Sequence, residues 1–340
     1  MREFKSWIFL SALVFGLGCS ESNSRSTPGV VDNPDAETVS DMEAEGDTGA
    51  VEDQGTELDQ SPGGDQGPSV DMGEPDFGEP DISPMGGDRA VTPLMPANYD
   101  PRQPAGLVIS LHGYGGSGPI QRSYFGLDNV LSENGYIFLA PNGTRDTSSQ
   151  FWNATDACCN FYGSTVDDVA YLSGLIDEAQ ARFNIDPNKV FFVGHSNGGF
   201  MSYRMACELS DRITGIVSLA GATFEDAGDC EPAEGVSVVQ VHGTLDATVL
   251  YDGGVFFGGT YPGAEESVER WVGYNECDAE GEEIGRLDIS AELGEETLVT
   301  RWSGCRDGAR VELWRMDGAG HIPGLNSGFA DAVVSYFNSL

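Results

Sequence analysis

From about position 105 onward, apolar residues fall in short unbroken runs instead of strict alternation. Leu107–Leu111, Tyr136–Ala140, Val190–Val193, Gly215–Ala220, Val236–Val241 and Val311–Met316 are each bounded by glycine or polar residues. Such runs predict strands of a parallel sheet buried on both faces. Between them the apolar spacing becomes helical. Val166, Val169, Leu172, Ile176, Ala179 and Phe183 form one stripe, and Met201, Met205 and Leu209 a second. Val268, Trp271 and Val272 mark a third, and Ala330, Val333, Val334 and Phe337 a fourth. Alternation of this kind predicts the α/β class, with a doubly wound, mostly parallel sheet. A ligand of such a sheet sits outside the carboxyl ends of its strands.

The pattern is different before Arg89. Residues 1–19 have a basic start, an apolar run of about eleven (WIFLSALVFGL) and then Gly18-Cys19. That is the layout of an export signal, and the run is shorter than the roughly 20 apolar residues a membrane span needs. Its end resembles the lipobox of bacterial lipoproteins, in which the cysteine carries the lipid. That resemblance implies lipid attachment at Cys19 and an exported protein, anchored at an outer membrane or cell surface or freely secreted. Gly16 stands where that motif usually has leucine.

Residues 20–88 hold nineteen acidic residues and one basic residue, Arg25, spaced by Gly, Pro, Ser and Gln. Too little apolar area is present to offset ordering entropy, so a disordered acidic linker is expected. As a coil its 69 residues would span on the order of 45 Å. The remaining residues, 89–340, are long enough for one domain with its own core. They carry 35 acidic and 14 basic residues, a net charge of −21. A surface of that sign argues against nucleic acid as a partner.

Besides Cys19 there are six cysteines, at 158, 159, 207, 230, 277 and 305. They fit an oxidising compartment, and no CxxC spacing points to zinc. Proximity favours Cys207 with Cys230 and Cys277 with Cys305. Cys158 and Cys159 would then form a vicinal pair or remain reduced.

The candidate chemistry begins at Gly194-His195-Ser196-Asn197-Gly198, between a predicted strand and a predicted helix. In that context G-x-S-x-G predicts a sharp turn that presents the Ser196 hydroxyl as a nucleophile. A serine needs a base, and the chain has four histidines: His112, His195, His242 and His321. His112 and His242 end strands, and His195 belongs to the turn itself. His321, in DGAGHIPG between the last strand and the last helix, is the candidate base. Asp246, four residues after His242, is the candidate acid to orient it, with Asp226 and Asp229 as fallbacks. A tetrahedral intermediate also needs two N–H donors. The amides of Asn197 and of Tyr114, in the glycine-rich LHGYGGSG, are assigned to that task.

Taken together, these segments resemble the polyhydroxybutyrate-depolymerase and feruloyl-esterase type of α/β-hydrolase. The likeness runs from about Ala105 to the C-terminus and rests on LHGYGGSG, APNGT, FWNATDACC, VDDVAYL, VGHSNGG, ACELSDRI, VHGTLDATV and GAGHIPG. It implies a Ser196–His321–Asp246 triad, an oxyanion segment at HGYGG and no metal or organic cofactor. Asp167-Asp168 match the paired aspartates of that family and are read as helix-start and loop anchors. One departure is His321-Ile322-Pro323-Gly324, where the family usually carries tryptophan in its His-x-Trp-Pro-Gly loop.

The expected activity is hydrolysis of carboxylic esters, either hydroxyalkanoate polyesters or oligomers, or feruloyl and acetyl esters of polysaccharides. Phe151, Trp152, Tyr162 and Tyr261 are candidates to line an acyl or aromatic pocket, half of them being expected in the core. Two other classes stay open. One is a non-catalytic surface-binding protein on a hydrolase scaffold, which would predict a lost triad member. The other is a serine peptidase or acyltransferase using the same triad. Oligomeric state is not legible in the sequence.

Overall fold

A computed structural model describes residues 79–340 apart from 148, 257, 292 and 293. Residues 1–78, with the signal-like segment, Cys19 and most of the acidic linker, lie outside the described residues.

The elements run β1 (Ala105–Leu111), α1 (Gly118–Phe125), α2 (Asp128–Glu133), β2 (Tyr136–Leu139), β3 (Thr144–Arg145) and β4 (Gln150–Phe151). They continue with α3 (Asp168–Arg182), β5 (Ile185–His195), α4 (Asn197–Glu208), β6 (Gly215–Leu219), β7 (Ser237–Gly243), β8 (Gly254–Phe256) and β9 (Gly259–Tyr261). The last are α5 (Ala264–Tyr274), β10 (Glu282–Leu287), β11 (Thr297–Trp302), β12 (Val311–Met316) and α6 (Ser327–Asn338). The central sheet has the order β10-β11-β12-β7-β6-β5-β1-β2, and β3/β4 and β8/β9 are separate two-stranded ribbons.

All six expected strands are present, paired in parallel from β2 through β12. Their lack of alternation has a direct cause. Along β1, Leu107, Ile109 and Leu111 enter one core cluster and Val108 the other. In β5, Val190 and Phe192 enter the first, and Phe191 and Val193 the second. Each face is covered by helices, so apolar residues are needed on both sides of the strand.

The chain leaves β1 toward β2 on one side and meets β5 on the other. This reversal opens a crevice at the carboxyl ends of β1 and β5. Leu111 is in register with Gly194, so His112–Gly116 and Ser196 leave the sheet side by side.

β10 and β11 were not anticipated. They pair antiparallel beyond β12, and β10 is an exposed edge whose Glu282, Glu283 and Arg286 break any apolar run. Packing also begins upstream of the boundary expected at Arg89. Met85 is 1% exposed and exchanges backbone hydrogen bonds with Val91. Gly86 N–H donates to Glu178 on α3 at 2.8 Å, and the Tyr171 hydroxyl donates to the Arg89 carbonyl at 2.7 Å. Three disulfides join Cys158–Cys159, Cys207–Cys230 and Cys277–Cys305. The vicinal cysteines are thus bonded to each other.

Candidate functional site

The serine turn explains its own glycines. Ser196 sits at φ 54°, ψ −120°, between β5 and α4, a left-handed backbone that non-glycine residues rarely adopt. A Cβ on Gly194 would lie 2.0 Å from the Gly198 carbonyl oxygen, and one on Gly198 would lie 2.1 Å from the Leu111 carbonyl oxygen. Only hydrogen fits at either position, so the strand can turn straight into the helix. Ser196 N–H donates to the Leu219 carbonyl at 2.8 Å, pinning the turn to β6.

Three side chains far apart in sequence meet at this rim. His321 Nε2 lies 3.0 Å from Ser196 Oγ, and His321 Nδ1 lies 2.7 Å from Asp246 Oδ2. The acid is buried at the end of β7. Its Oδ1 accepts from the amides of Thr248 at 2.8 Å and Val249 at 2.9 Å. Burial alone would raise its pKa. Hydrogen bonds from His242 and His321, the charge of His321 and the Thr248 amide outweigh it and hold the carboxyl well below the usual carboxylate range. Asp246 therefore stays ionised and fixes the Nδ1–H tautomer of His321, leaving Nε2 to accept from the serine. The fallback acids are exposed on a 3-10 turn, where Asp226 accepts from Gly228 N–H.

Each of the other histidines is tied down. Gln240 Nε2 donates to His242 Nδ1 at 2.9 Å while the Val249 carbonyl lies 2.9 Å from its Nε2. The same Gln240 amide donates to the Gly221 carbonyl, and its oxygen accepts from Tyr203. His242 is thereby set as the Nε2–H tautomer beneath Asp246, 3.4 Å from Oδ2. His112 accepts at Nε2 from Gly143 N–H at 2.9 Å and donates from Nδ1 to the Gly113 carbonyl at 2.8 Å. Burial lowers its pKa, which keeps it neutral. His195 Nε2 donates to the His321 carbonyl at 2.9 Å.

The residues assigned as anion donors come from two segments next to the serine, since Asn197 follows it and a Cβ on Gly113, before Tyr114, would lie 3.4 Å from Ser196 Cβ. Asn197 is the first residue of α4, where the N–H groups of the first turn have no helical acceptor. Tyr114 lies between Gly113 and Gly115, whose φ is 76°. Gly116 N–H closes the turn onto the Gly113 carbonyl, and Gly115 N–H donates to Gln150. The Tyr114 ring packs edge-on against Phe161 at 5.0 Å, and its hydroxyl donates to Asp146 at 3.1 Å. Of the candidate pocket residues, Phe151, Trp152 and Tyr261 are buried in the body of the domain, whereas Tyr162 is exposed.

Some supporting contacts had no local sequence signal. Trp152 donates from its indole to the His112 carbonyl at 3.1 Å, and its main chain pairs with the Asn197 side chain. Asp168 accepts from Asn153 N–H at 2.7 Å and pairs with Arg89, while Asp167 caps α3 through Ala170 N–H. The two aspartates are thus the helix-start and loop anchors anticipated above. The Trp152–Asn197 contact joins positions 45 residues apart, which no local spacing announces.

With this geometry in view, the comparisons with known proteins agree on the fold. The model of the alpha/beta hydrolase fold matches residues 106–258. Feruloyl esterase B of Piromyces equi is 27% identical over 244 residues, covering 69% of this chain and 43% of its own length. A probable feruloyl esterase C of Aspergillus niger is 28% identical over 196 residues, 56% of this chain and 63% of that protein. The chain thus spans between about two fifths and just under two thirds of these relatives. Among solved structures, an acetyl xylan esterase from Aspergillus awamori superposes with a TM-score of 0.52 at 16% identity, covering 78% of this chain and 97% of that one. At that identity the likeness concerns the fold.

Proposed function

Starting from a chain with the α/β-hydrolase fold, we propose that this protein is an exported serine esterase acting on carboxylic esters. The observation that carries the reading is the continuous hydrogen-bond series Ser196 Oγ–His321–Asp246, at 3.0 and 2.7 Å. Ser196 attacks the ester carbonyl while His321 Nε2 takes its proton. The Asn197 and Tyr114 amides hold the oxyanion that forms. Collapse of the intermediate expels the alcohol, protonated by His321, and leaves an acyl group on Ser196. Water, deprotonated by His321, then attacks the acyl carbon and releases the acid. Asp246 remains ionised throughout and stabilises the imidazolium.

The relatives named as feruloyl esterases support acyl esters of plant polysaccharide as the substrate class. The exposed rim beside the base, with Ile322 and Leu245 each 69% exposed, supports access by a large substrate. Hydroxyalkanoate oligomers remain the other candidate. The test is turnover of p-nitrophenyl acetate and butyrate by the purified protein, with methyl ferulate, acetylated xylan and hydroxybutyrate oligomers as a panel. Ser196→Ala should abolish hydrolysis while unfolding as wild type does. An alanine variant of full activity would end this mechanism.

A further inference from the structure

The segment that carries His321 is a loop between β12 and α6, and a loop must be held if its imidazole is to stay in reach of the serine. Its entry is fixed: Gly318 N–H donates to Thr244 Oγ1 at 2.9 Å, and the Ala319 carbonyl accepts from Leu245 N–H at 2.9 Å. Its exit is fixed as well, by Ala291 N–H donating to the Gly324 carbonyl and Asn326 N–H to the Ile289 carbonyl. Between these ties lie His321, Ile322 and Pro323. The Ile322 side chain faces solvent and does not anchor them.

We propose that His195 and Tyr124 are positioning residues that lock the candidate base through its main chain, a role that rests on the esterase reading above. His195 Nε2–H donates to the His321 carbonyl at 2.9 Å, and the Tyr124 hydroxyl donates to the Pro323 carbonyl at 3.0 Å. The two rings also pack edge to face, with centroids 5.4 Å apart, so each restrains the other. His195 lies 5.0 Å from the His321 ring.

The place of His195 gives the contact its importance. It immediately precedes Ser196, so its backbone is part of the serine turn itself. A Cβ on Gly113 would lie 3.2 Å from His195 Nδ1, so the glycine-rich anion segment packs directly on the same ring. One imidazole therefore touches the nucleophile's turn, the base's loop and the segment assigned to the oxyanion. It is a spacer that sets three catalytic pieces at a common distance.

Both donors suit the task. Burial lowers the His195 pKa to about 4, so the ring is a neutral N–H donor and puts no second positive charge beside the imidazolium that forms on His321. Burial also pushes the Tyr124 phenol up, so it keeps its proton.

The experiment compares His195→Leu, which fills the space without an N–H, with His195→Gln, whose amide nitrogen reaches about where Nε2 was. Tyr124→Phe, which removes a single oxygen, gives a second variant that should fold whatever happens to the first. A misplaced base of this kind costs up to about 100-fold in rate. We expect kcat on p-nitrophenyl butyrate to fall roughly 10- to 100-fold in His195→Leu and by a smaller factor in Tyr124→Phe. KM should stay nearly constant, and His195→Gln should recover most of the loss. The strongly downfield proton resonance of the His321–Asp246 hydrogen bond should broaden or vanish in His195→Leu and return in His195→Gln, a change that general destabilisation would not reproduce. Wild-type kcat and an unchanged resonance in His195→Leu would overturn the proposal. An active Ser196→Ala would instead sink the esterase reading, and the resonance would still judge the clamp.

Discussion

The Asn197 carboxamide and the Trp152 main chain exchange two hydrogen bonds, Trp152 N–H to Oδ1 at 2.7 Å and Nδ2–H to the Trp152 carbonyl at 2.9 Å. Because Asn197 follows the serine and the Trp152 indole donates to the His112 carbonyl, one residue stitches the turn after β5 to the end of β1. Both groups are buried. Asn197→Ala should leave a buried N–H and a buried carbonyl without partners, costing about 2–5 kcal/mol. Urea unfolding reads this directly. A loss below about half a kcal/mol would mean that water replaces both bonds.

Asp246 connects activity with acid stability. Asp246→Asn keeps the shape but removes the charge and favours the wrong His321 tautomer, so kcat should fall about ten-thousand-fold. Its folded pKa is depressed, and a depressed carboxylate contributes stability above its unfolded pKa of about 3.9. That contribution is lost as pH falls through the folded value. Wild type should therefore lose stability below about pH 4 more steeply than Asp246→Asn. Parallel acid limbs in the two proteins would show that this carboxyl is not the depressed one.

Arg89 and Asp168 form an ion pair in which the carboxylate is fully buried and the guanidinium lies 3.5 Å from the Tyr171 ring centroid. Arg89→Met should be destabilising by about 3 kcal/mol, near the low end for a broken buried pair because the arginine keeps some solvent contact. Arg89→Lys should rescue little, since the stacked plane and fork geometry are lost. The double variant Arg89→Met/Asp168→Asn should cost less than the sum of the single changes, as a thermal-unfolding cycle would reveal.

On the reading that Cys19 carries a lipid, Cys19→Ser should release the protein from membranes into the soluble fraction. Continued membrane association of that variant would refute a lipid at Cys19, and recovery of the wild-type protein in the soluble fraction would favour plain secretion.

The six strand runs, four of the helices and the serine turn were legible because their causes are local. A strand covered on both faces needs apolar residues on both sides, and a turn whose backbone passes within van der Waals contact of its neighbours must be glycine. Short α1 and α2, and the charged edge strand β10, lacked that local mark. The first two are too brief to show a period, and β10 has no covered face to impose one. The place of His321 on a loop after Asp246 was also readable, whereas its contacts with Ser196 and Asp246 belong to the tertiary structure.

What sequence alone determined about this protein is the alternation of elements, the glycine-bracketed serine turn and the chain order Ser196, Asp246, His321. The tertiary structure decided which groups hold them: Gln240 setting the tautomer of His242, Trp152 bridging His112 and Asn197, Arg89 neutralising Asp168, and His195 gripping the loop of His321. Those contacts join residues tens of positions apart, where spacing carries no information. They form only when packing brings buried polar groups together and each must find a partner.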